Sequence, residues 1–159
     1  MKAAVLHEPN VRVPIEELEI QEPGQGEVLL DMVSAGVCHS DYHFIDGHMT
    51  PWGTPWVLGH EGAAIVRDVG PSVTSVAPGD KIILSLDAMC GYCRNCSNGS
   101  PALCETHPRI PITRMTLDGQ PTYHIRPTFA EQTIALADAC VKVPDDTDLR
   151  VACLISCGV

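Results

Sequence analysis

The sequence has few aromatic residues, few basic residues and no long apolar run. Aromatic side chains make up 4% of the chain, against 13 glycines and 13 prolines, which suits short strands and tight turns better than long helices. Ten Lys and Arg stand against 20 Asp and Glu, and the net charge of −10 disfavours nucleic acids and anionic membranes as partners. No segment approaches the roughly 20 consecutive apolar residues of a membrane span. The start also lacks a signal-peptide apolar stretch, so we expect a soluble, cytoplasmic protein.

A nucleotide-binding fingerprint is also lacking. Such a fingerprint needs G-x-G-x-x-G between a strand and a helix. The only G-x-G in the chain is Gly24-Gln25-Gly26, and Leu29 stands where the third glycine belongs. We therefore expect this glycine pair to form a turn.

The apolar residues predict a β-rich domain. Short β-branched runs occur in MKAAVLH, VRVPIEELEI, EVLLDMVSAGV, EGAAIVRDVG, KIILSL and TFAEQTIAL. TRMTL and TYHI flank the turn DGQP, which predicts a hairpin. Helical signals are limited to CHSDYHF and to a helix that begins near Thr147, behind good capping residues. We expect one mainly β domain over residues 1–159, a partly open barrel with short helices and a cysteine-rich lobe at 88–105.

The cysteine-rich lobe predicts a structural zinc site. CGYCRNCSNGSPALC places four of the eight cysteines close together, at Cys90, Cys93, Cys96 and Cys104. Two overlapping C-x-x-C spacings can wrap thiolates around one Zn²⁺, and four thiols leave no position open for water. A disulfide pair or a redox-active C-x-x-C would be the alternatives, but neither explains four thiols within fifteen residues.

A second set of soft or borderline metal ligands lies outside the lobe. Cys38 belongs to GVCHSDYH, His60 to GHEG, and Cys157 to LISCGV near the end of the chain. Three protein ligands with a vacant fourth position are the arrangement of a catalytic zinc. Spacing alone makes this set no more than suggestive, since a buried thiol among apolar neighbours would also explain Cys157.

These segments together resemble one family. GVCHSDYH, GHEG, the four-cysteine lobe and LISCGV, in this order, are similar to the zinc-dependent medium-chain alcohol dehydrogenases, as is VGPSVTSVAPGDKI. The resemblance runs from Met1 to Val159 and implies the N-terminal GroES-like catalytic domain, with two Zn²⁺ per chain. Segment 105–128 resembles the liver-type and glutathione-dependent formaldehyde dehydrogenase branches, and benzyl-type enzymes are equally compatible. The family's Rossmann domain, which binds NAD(P), is absent from these residues, so we expect negligible turnover by the isolated chain.

The resemblance also implies roles for individual residues. Cys38, His60 and Cys157 would bind the catalytic zinc, at which an alcohol is oxidised to an aldehyde or ketone by hydride transfer to the nicotinamide. The remaining implied roles are Ser40 beside the substrate oxygen, His43 as the outer member of a proton relay, Asp41 accepting from the far ring nitrogen of His60, Glu61 behind the zinc, and His39 on the cofactor pyrophosphate.

Other interpretations of these residues remain open. Ser40 and Asp41 are also good helix caps, and His43 could be a surface histidine. His7, His48, His107 and His124 have no evident partner, Cys140 and Cys153 suit buried apolar positions, and Trp52 and Trp56 would either line an alcohol cleft or pack a loop. As a whole, the chain could instead be a zinc-stabilised scaffold or interaction module without activity. Separately, absence of the cofactor domain would expose apolar surface around the last helix, which would favour self-association into a homo-oligomer.

Overall fold

The computed structural model describes residues 1–106 and 114–158. Short strands dominate this part of the chain. In order they are β1 (Lys2–Leu6), β2 (Ile15–Glu17), β3 (Glu19–Ile20), β4 (Glu27–Gly36), β5 (Trp56–Val57), β6 (Glu61–Val69), β7 (Lys81–Leu84), β8 (Met115–Leu117), β9 (Gln120–Pro121), β10 (Gln132–Leu136) and β11 (Cys140–Lys142).

The helices are short and lie between or after the strands. They are α1 (His39–Ile45), α2 (Arg94–Ser97) and α3 (Leu149–Ala152), joined by 3₁₀ turns at Pro101–Leu103, Ala137–Ala139 and Cys153–Ser156. None of the helices in the described residues is long and apolar enough to cross a membrane.

The largest sheet has five antiparallel strands in the order β10-β4-β6-β7-β11. Its long members β4 and β6 pair from Val28 opposite Val69 to Gly36 opposite Glu61, with two register shifts. One face buries an apolar cluster that includes Leu30, Ile82 and Leu84, each fully buried. Burying each such side chain contributes about 1.5–3 kcal/mol relative to leaving it exposed, so this cluster is a main source of stability.

Two smaller sheets complete a barrel that is not closed. They have the strand orders β2-β1-β5 and β3-β8-β9. An isolated bridge between Ala3 and Ala130 connects β1 to the segment before β10. The mainly β, GroES-like, partly open architecture expected from the sequence is confirmed.

The strands, turns and helices predicted from the sequence are largely observed, with small corrections to their bounds. Each apolar run identified in the sequence contains a strand, and Gly24–Gly26 lies in the turn before β4, where Gly26 has φ +73°. The hairpin exists, but its second strand is Gln120–Pro121 rather than TYHI, because the turn tightens to Asp118-Gly119, both with positive φ. The last helix starts at Leu149, capped by the side chain of Asp148, two residues later than expected.

Apolar side chains are exposed around the last helix. Val151, Leu154 and Ile155 are 61%, 49% and 56% exposed, so the apolar surface expected at this end of the chain is present. Cys140 and Cys153 are buried, as predicted. His107 lies outside the described residues.

Candidate metal centres

Two groups of potential metal ligands predicted from the sequence are assembled in the fold. Among the described residues, the donor atoms of Cys38, His60, Glu61 and Cys157 all lie within 4.8 Å of one another. Three separate segments supply them, and Cys38 and Cys157 are 119 residues apart in the chain. The fold therefore brings together the three predicted ligands and adds the buried carboxylate of Glu61.

The spacing of the two sulfurs suits a shared metal ion. Cys38 Sγ and Cys157 Sγ are 3.9 Å apart, and both cysteines are free. Two thiolates bound to one Zn²⁺ at about 2.3 Å with tetrahedral angles would be about 3.8 Å apart. Two sulfurs, one imidazole and one carboxylate are all donors that Zn²⁺ accepts, so the residues present fit this metal.

Glycines make room for the ligands on both sides. His60 follows Gly59, whose φ of +94° an L side chain rarely adopts, and a Cβ there would overlap Thr128 and Phe129. A Cβ at Gly36 would overlap the carboxylate of Glu61. Gly36 thus allows the end of β4 to approach Glu61 at the start of β6, and Gly59 allows the residue before His60 to approach Thr128 and Phe129.

Asp41 connects the start of α1 to His60. Its Oδ2 accepts the backbone N–H of Cys38 at 3.3 Å, and its Oδ1 accepts that of Gly59 at 3.0 Å. The same Oδ1 lies 3.3 Å from His60 Nδ1. Asp41 is buried, and its carboxylate contacts both the backbone at the start of α1 and the ring nitrogen Nδ1 of His60.

Charge in this group is set by close neighbours. The carboxylate of Asp41 raises the pKa of His60 to about 9 in the metal-free protein. The backbone N–H of Ser40 lowers the pKa of the Cys38 thiol, whereas burial and the adjacent Cys38 sulfur raise the pKa of Cys157. Cys38 is thus the thiol that most readily supplies a thiolate.

The four-cysteine lobe forms a second compact group. Its sulfurs lie within 4.8 Å of one another, and Cys90 Sγ and Cys96 Sγ are 3.9 Å apart, again close to the tetrahedral value. The backbone N–H of Cys93 donates to Cys90 Sγ, and that of Cys96 donates to Cys93 Sγ. A backbone hydrogen bond from Cys90 lowers the pKa of Cys104 to about 6, while burial raises the pKa of Cys96 to about 12.

Residues 24–145 match the family described as the alcohol dehydrogenase GroES-like domain. The chain belongs to this family. It is 42% identical over 168 residues to an NDMA-dependent alcohol dehydrogenase of Amycolatopsis methanolica, covering 99% of this chain and 45% of that protein. It is 38% identical to an S-(hydroxymethyl)glutathione dehydrogenase of Escherichia coli, covering 99% of this chain and 46% of the relative.

Solved structures agree with this membership. The GroES-like domain superposes with a TM-score of 0.89 and 31% identity on an alcohol dehydrogenase zinc-binding domain protein from Burkholderia ambifaria, covering 99% of this chain and 45% of that one. For the benzyl alcohol dehydrogenase of Acinetobacter calcoaceticus the TM-score is 0.83 at 30% identity, with 99% and 44% covered. The chain therefore spans slightly under half the length of the relatives it matches.

The remaining predicted site residues of the GroES-like domain lie on α1. Ser40 Oγ is 3.7 Å from Cys38 Sγ, which places a hydroxyl beside the proposed ligand. His43 follows three positions later, on the same face of the helix. The ring of His39 stacks on that of His43 with centroids 4.6 Å apart. One short helix therefore carries Ser40, His39 and His43 next to the ligand group.

The environments of three histidines were not predicted from the sequence. His7 pairs with Glu16 at 2.7 Å, and His48 pairs with Asp46 at 2.8 Å. His124, expected to be an ordinary loop or strand residue, is 1% exposed, and neither ring nitrogen has a hydrogen-bond partner among the described residues. His124 belongs to TYHI, which the sequence predicts to be a strand, and its burial was not predicted.

The two tryptophans differ in environment. Trp56 is buried and packs on Phe44 with ring centroids 5.2 Å apart, whereas Trp52 is 62% exposed. Together with Met49 and Ile125 they line a cavity of about 100 Å³. Trp56 thus packs the loop, and Trp52 contributes an exposed wall of this small cavity.

Proposed function

We propose that this chain is the metal-binding catalytic part of a cytoplasmic alcohol dehydrogenase, which oxidises an alcohol to an aldehyde or ketone by hydride transfer to NAD(P). The observation that carries the proposal is the convergence of Cys38, His60 and Cys157 from three distant segments. The imidazole of His60 and the carboxylate of Glu61 are buried beside these two thiols, and because polar groups are costly to bury without partners, this arrangement favours a bound ion.

Residues 1–159 then form one GroES-like domain, with its zinc lobe at 88–105. A Rossmann domain in the rest of the enzyme binds the nicotinamide cofactor. The coverage of relatives, 45% and 46% of their lengths, supports a partner domain of similar size. The exposed Val151, Leu154 and Ile155 offer that domain an apolar surface, which would otherwise favour self-association.

The two zinc groups have different roles. In the proposed catalytic group, Cys38, His60 and Cys157 hold the ion, which when bound supplies a Lewis acid that favours loss of the alcohol proton. Asp41 fixes the tautomer and orientation of His60. Glu61, behind the site, adds negative charge close to the ligands and tunes how strongly they bind.

The chain's own groups on α1 handle the proton and the cofactor. The Ser40 hydroxyl accepts the proton from the alcohol while it donates its own proton toward His43, one helical turn away, and His43 releases a proton to solvent. His39, exposed at the start of the same helix, contacts the cofactor pyrophosphate. The short helix thereby places proton transfer and cofactor recognition beside one ligand sulfur.

The lobe has a structural role. Four thiols at Cys90, Cys93, Cys96 and Cys104 saturate a tetrahedral Zn²⁺ and leave no position for substrate. The relatives named as alcohol, S-(hydroxymethyl)glutathione and benzyl alcohol dehydrogenases all point to small alcohols or aldehydes as the substrate class.

Cobalt substitution tests this assignment without requiring turnover. We expect two tightly bound Co²⁺ per chain, with a visible spectrum that changes when imidazole enters the open position of the catalytic group, because the saturated lobe cannot respond. Cys38→Ser should lose one ion and the imidazole response. Cys96→Ser, the matched control, should weaken binding of the ion in the lobe and keep the spectral response to imidazole.

Two results would contradict the proposal. A wild-type spectrum insensitive to imidazole, or one metal ion per chain bound only by the lobe, would favour a zinc-stabilised scaffold without chemistry. Retention of both ions by Cys38→Ser would refute the ligand assignment.

A further inference from the structure

A third group of metal-ligand side chains lies where α1 ends. The ligand atoms of His43, Asp46 and His48 lie within 4.8 Å of one another. His48 Nδ1 is 2.8 Å from Asp46 Oδ1, and His43 Nδ1 is 3.8 Å from Asp46 Oδ2. Both imidazoles therefore turn the same ring nitrogen toward one carboxylate. The two metal groups described above use none of these three residues as a ligand.

The backbone holds this group in place. Asp46 is the C-cap of α1, and its N–H donates to the carbonyl of Tyr42. Gly47 then takes φ +81°, and the N–H of His48 donates back to Asp46 Oδ1 at 3.0 Å. The next N–H, that of Met49, donates to the carbonyl of His43 at 2.8 Å. The turn returns His48 to the side of the helix that carries His43, so the two rings meet without a long flexible segment between them.

Two imidazoles and a carboxylate form a recurrent set of donors for a divalent transition metal. His₂Glu binds zinc in metalloproteases, and two histidines with one carboxylate bind iron in mononuclear sites. Ligand atoms about 2.0–2.1 Å from Zn²⁺ at tetrahedral angles would be about 3.3 Å apart. The observed separations of 2.8 and 3.8 Å lie on either side of that value, so small side-chain rotations would suffice.

A simple helix cap does not account for the whole arrangement. The Asp46–His48 contact explains His48, but His43 Nδ1 is buried and has no hydrogen-bond partner among the described residues. The C-terminal end of α1 also carries partial negative charge, which adds to the attraction for a cation.

We propose that His43, Asp46 and His48 bind a third divalent metal ion, of the Zn²⁺ class, with its remaining positions filled by water. Because His43 and His48 are 40% and 74% exposed, ligand exchange is open to solvent and binding is weaker than at the thiol groups. The inference does not depend on the proposed enzyme activity. If the relay through His43 operates, an ion on its Nδ1 would compete with the proton and slow the relay.

Histidine-ring NMR during zinc titration tests the site directly. The protein is first loaded with two equivalents of Zn²⁺ to fill the thiol groups, and more Zn²⁺ is then added. We expect the ring nitrogens of His43 and His48 to shift together and to saturate at one further ion per chain. His7, an exposed histidine paired with a carboxylate but lacking a second imidazole, should not respond.

The decisive variant is His48→Gln, with His7→Gln as the matched control. His48 is exposed, so its replacement should leave the fold intact. Loss of this ligand should lower the affinity for the third ion by about tenfold or more, since loss of a residue that only orients a ligand already lowers metal affinity about 10–100-fold. The control should bind as the wild type does. An unchanged third affinity in His48→Gln, or shifts of His43 and His48 that fail to saturate or do not occur, would overturn the proposal.

Discussion

Replacing Asp41 by Asn tests the electrostatic core of the proposed catalytic site. The change keeps the size and shape of the side chain but removes the negative charge that faces His60 Nδ1 at 3.3 Å. The carbonyl oxygen of the amide can still accept the N–H of Gly59, so the backbone around His60 should stay in place. The variant therefore isolates the charge of Asp41 from its role as a cap.

The magnitude follows from the pKa of His60 in the metal-free protein. Asp41 raises this pKa from 6.5 to about 9, so the folded state binds the proton more tightly than the unfolded state. The resulting stabilisation is fully present below pH 6.5 and is lost as the pH rises through 9. The interval between 6.5 and about 9, at about 1.4 kcal/mol per pH unit, corresponds to about 3 kcal/mol.

Urea denaturation of the metal-free proteins at pH 6 and pH 9.5 measures this contribution of His60 protonation to the free energy of unfolding. The wild type should lose more free energy of unfolding between the two pH values than Asp41→Asn does, by up to about 3 kcal/mol, because Cys38 also raises the pKa of His60 and remains in the variant. Zinc affinity, measured against a competing chelator, should fall about 10–100-fold in the variant. His7→Gln, which removes an exposed pair, should behave as the wild type in both assays. Equal pH dependence in wild type and Asp41→Asn would refute the reasoning.

The remaining predictions concern the core. Leu84→Ala, at a fully buried position of β7, should reduce the free energy of unfolding by about 2–5 kcal/mol. Val141→Ala, at a half-exposed position of the neighbouring β11, should reduce it by less than about 1 kcal/mol. Similar losses for the two variants in urea denaturation would contradict the packing described. Burial lowers the pKa of His124 to about 4, so the unfolded state binds its proton first, and stability should fall by about 3 kcal/mol as the pH drops from 6.5 to 4. His124→Gln should flatten that part of the pH profile, and a profile as steep as the wild type's would show that His124 is not held neutral.

Strands and the cysteine lobe were predictable because their signals are local. EVLLDMVSAGV and EGAAIVRDVG each contain a single long strand, β4 and β6, and their β-branched and apolar content is sufficient to indicate it. The lobe closes within the span from Cys90 to Cys104, so spacing alone brings four sulfurs together. Local sequence determines both features, and tertiary packing refines them without changing them.

Features that depend on contacts between residues brought together by the tertiary fold could not be predicted from the spacing of residues in the sequence. Nothing in the sequence indicates that Gly47 returns His48 to His43, since this requires the left-handed turn after α1. The predicted position of the second hairpin strand was wrong because Asp118 adopts φ 49°, which shortens the turn and brings Gln120 into the strand pairing.

The two thiol groups differ in what folding must supply before a metal can bind. The lobe needs only a short loop, and its ligands can meet in a largely unfolded chain. Cys38 and Cys157 are 119 residues apart, so closing that loop costs about 2 kcal/mol more than closing the lobe. The sheet makes this closure before any ion arrives: Ser156 Oγ donates to the carbonyl of Leu84 at 2.6 Å, which fixes the turn before Cys157 against β7. A metal at the Cys38–His60–Cys157 group would therefore bind ligands that the sheet holds together, whereas a metal in the lobe would bind ligands that are joined by a short loop.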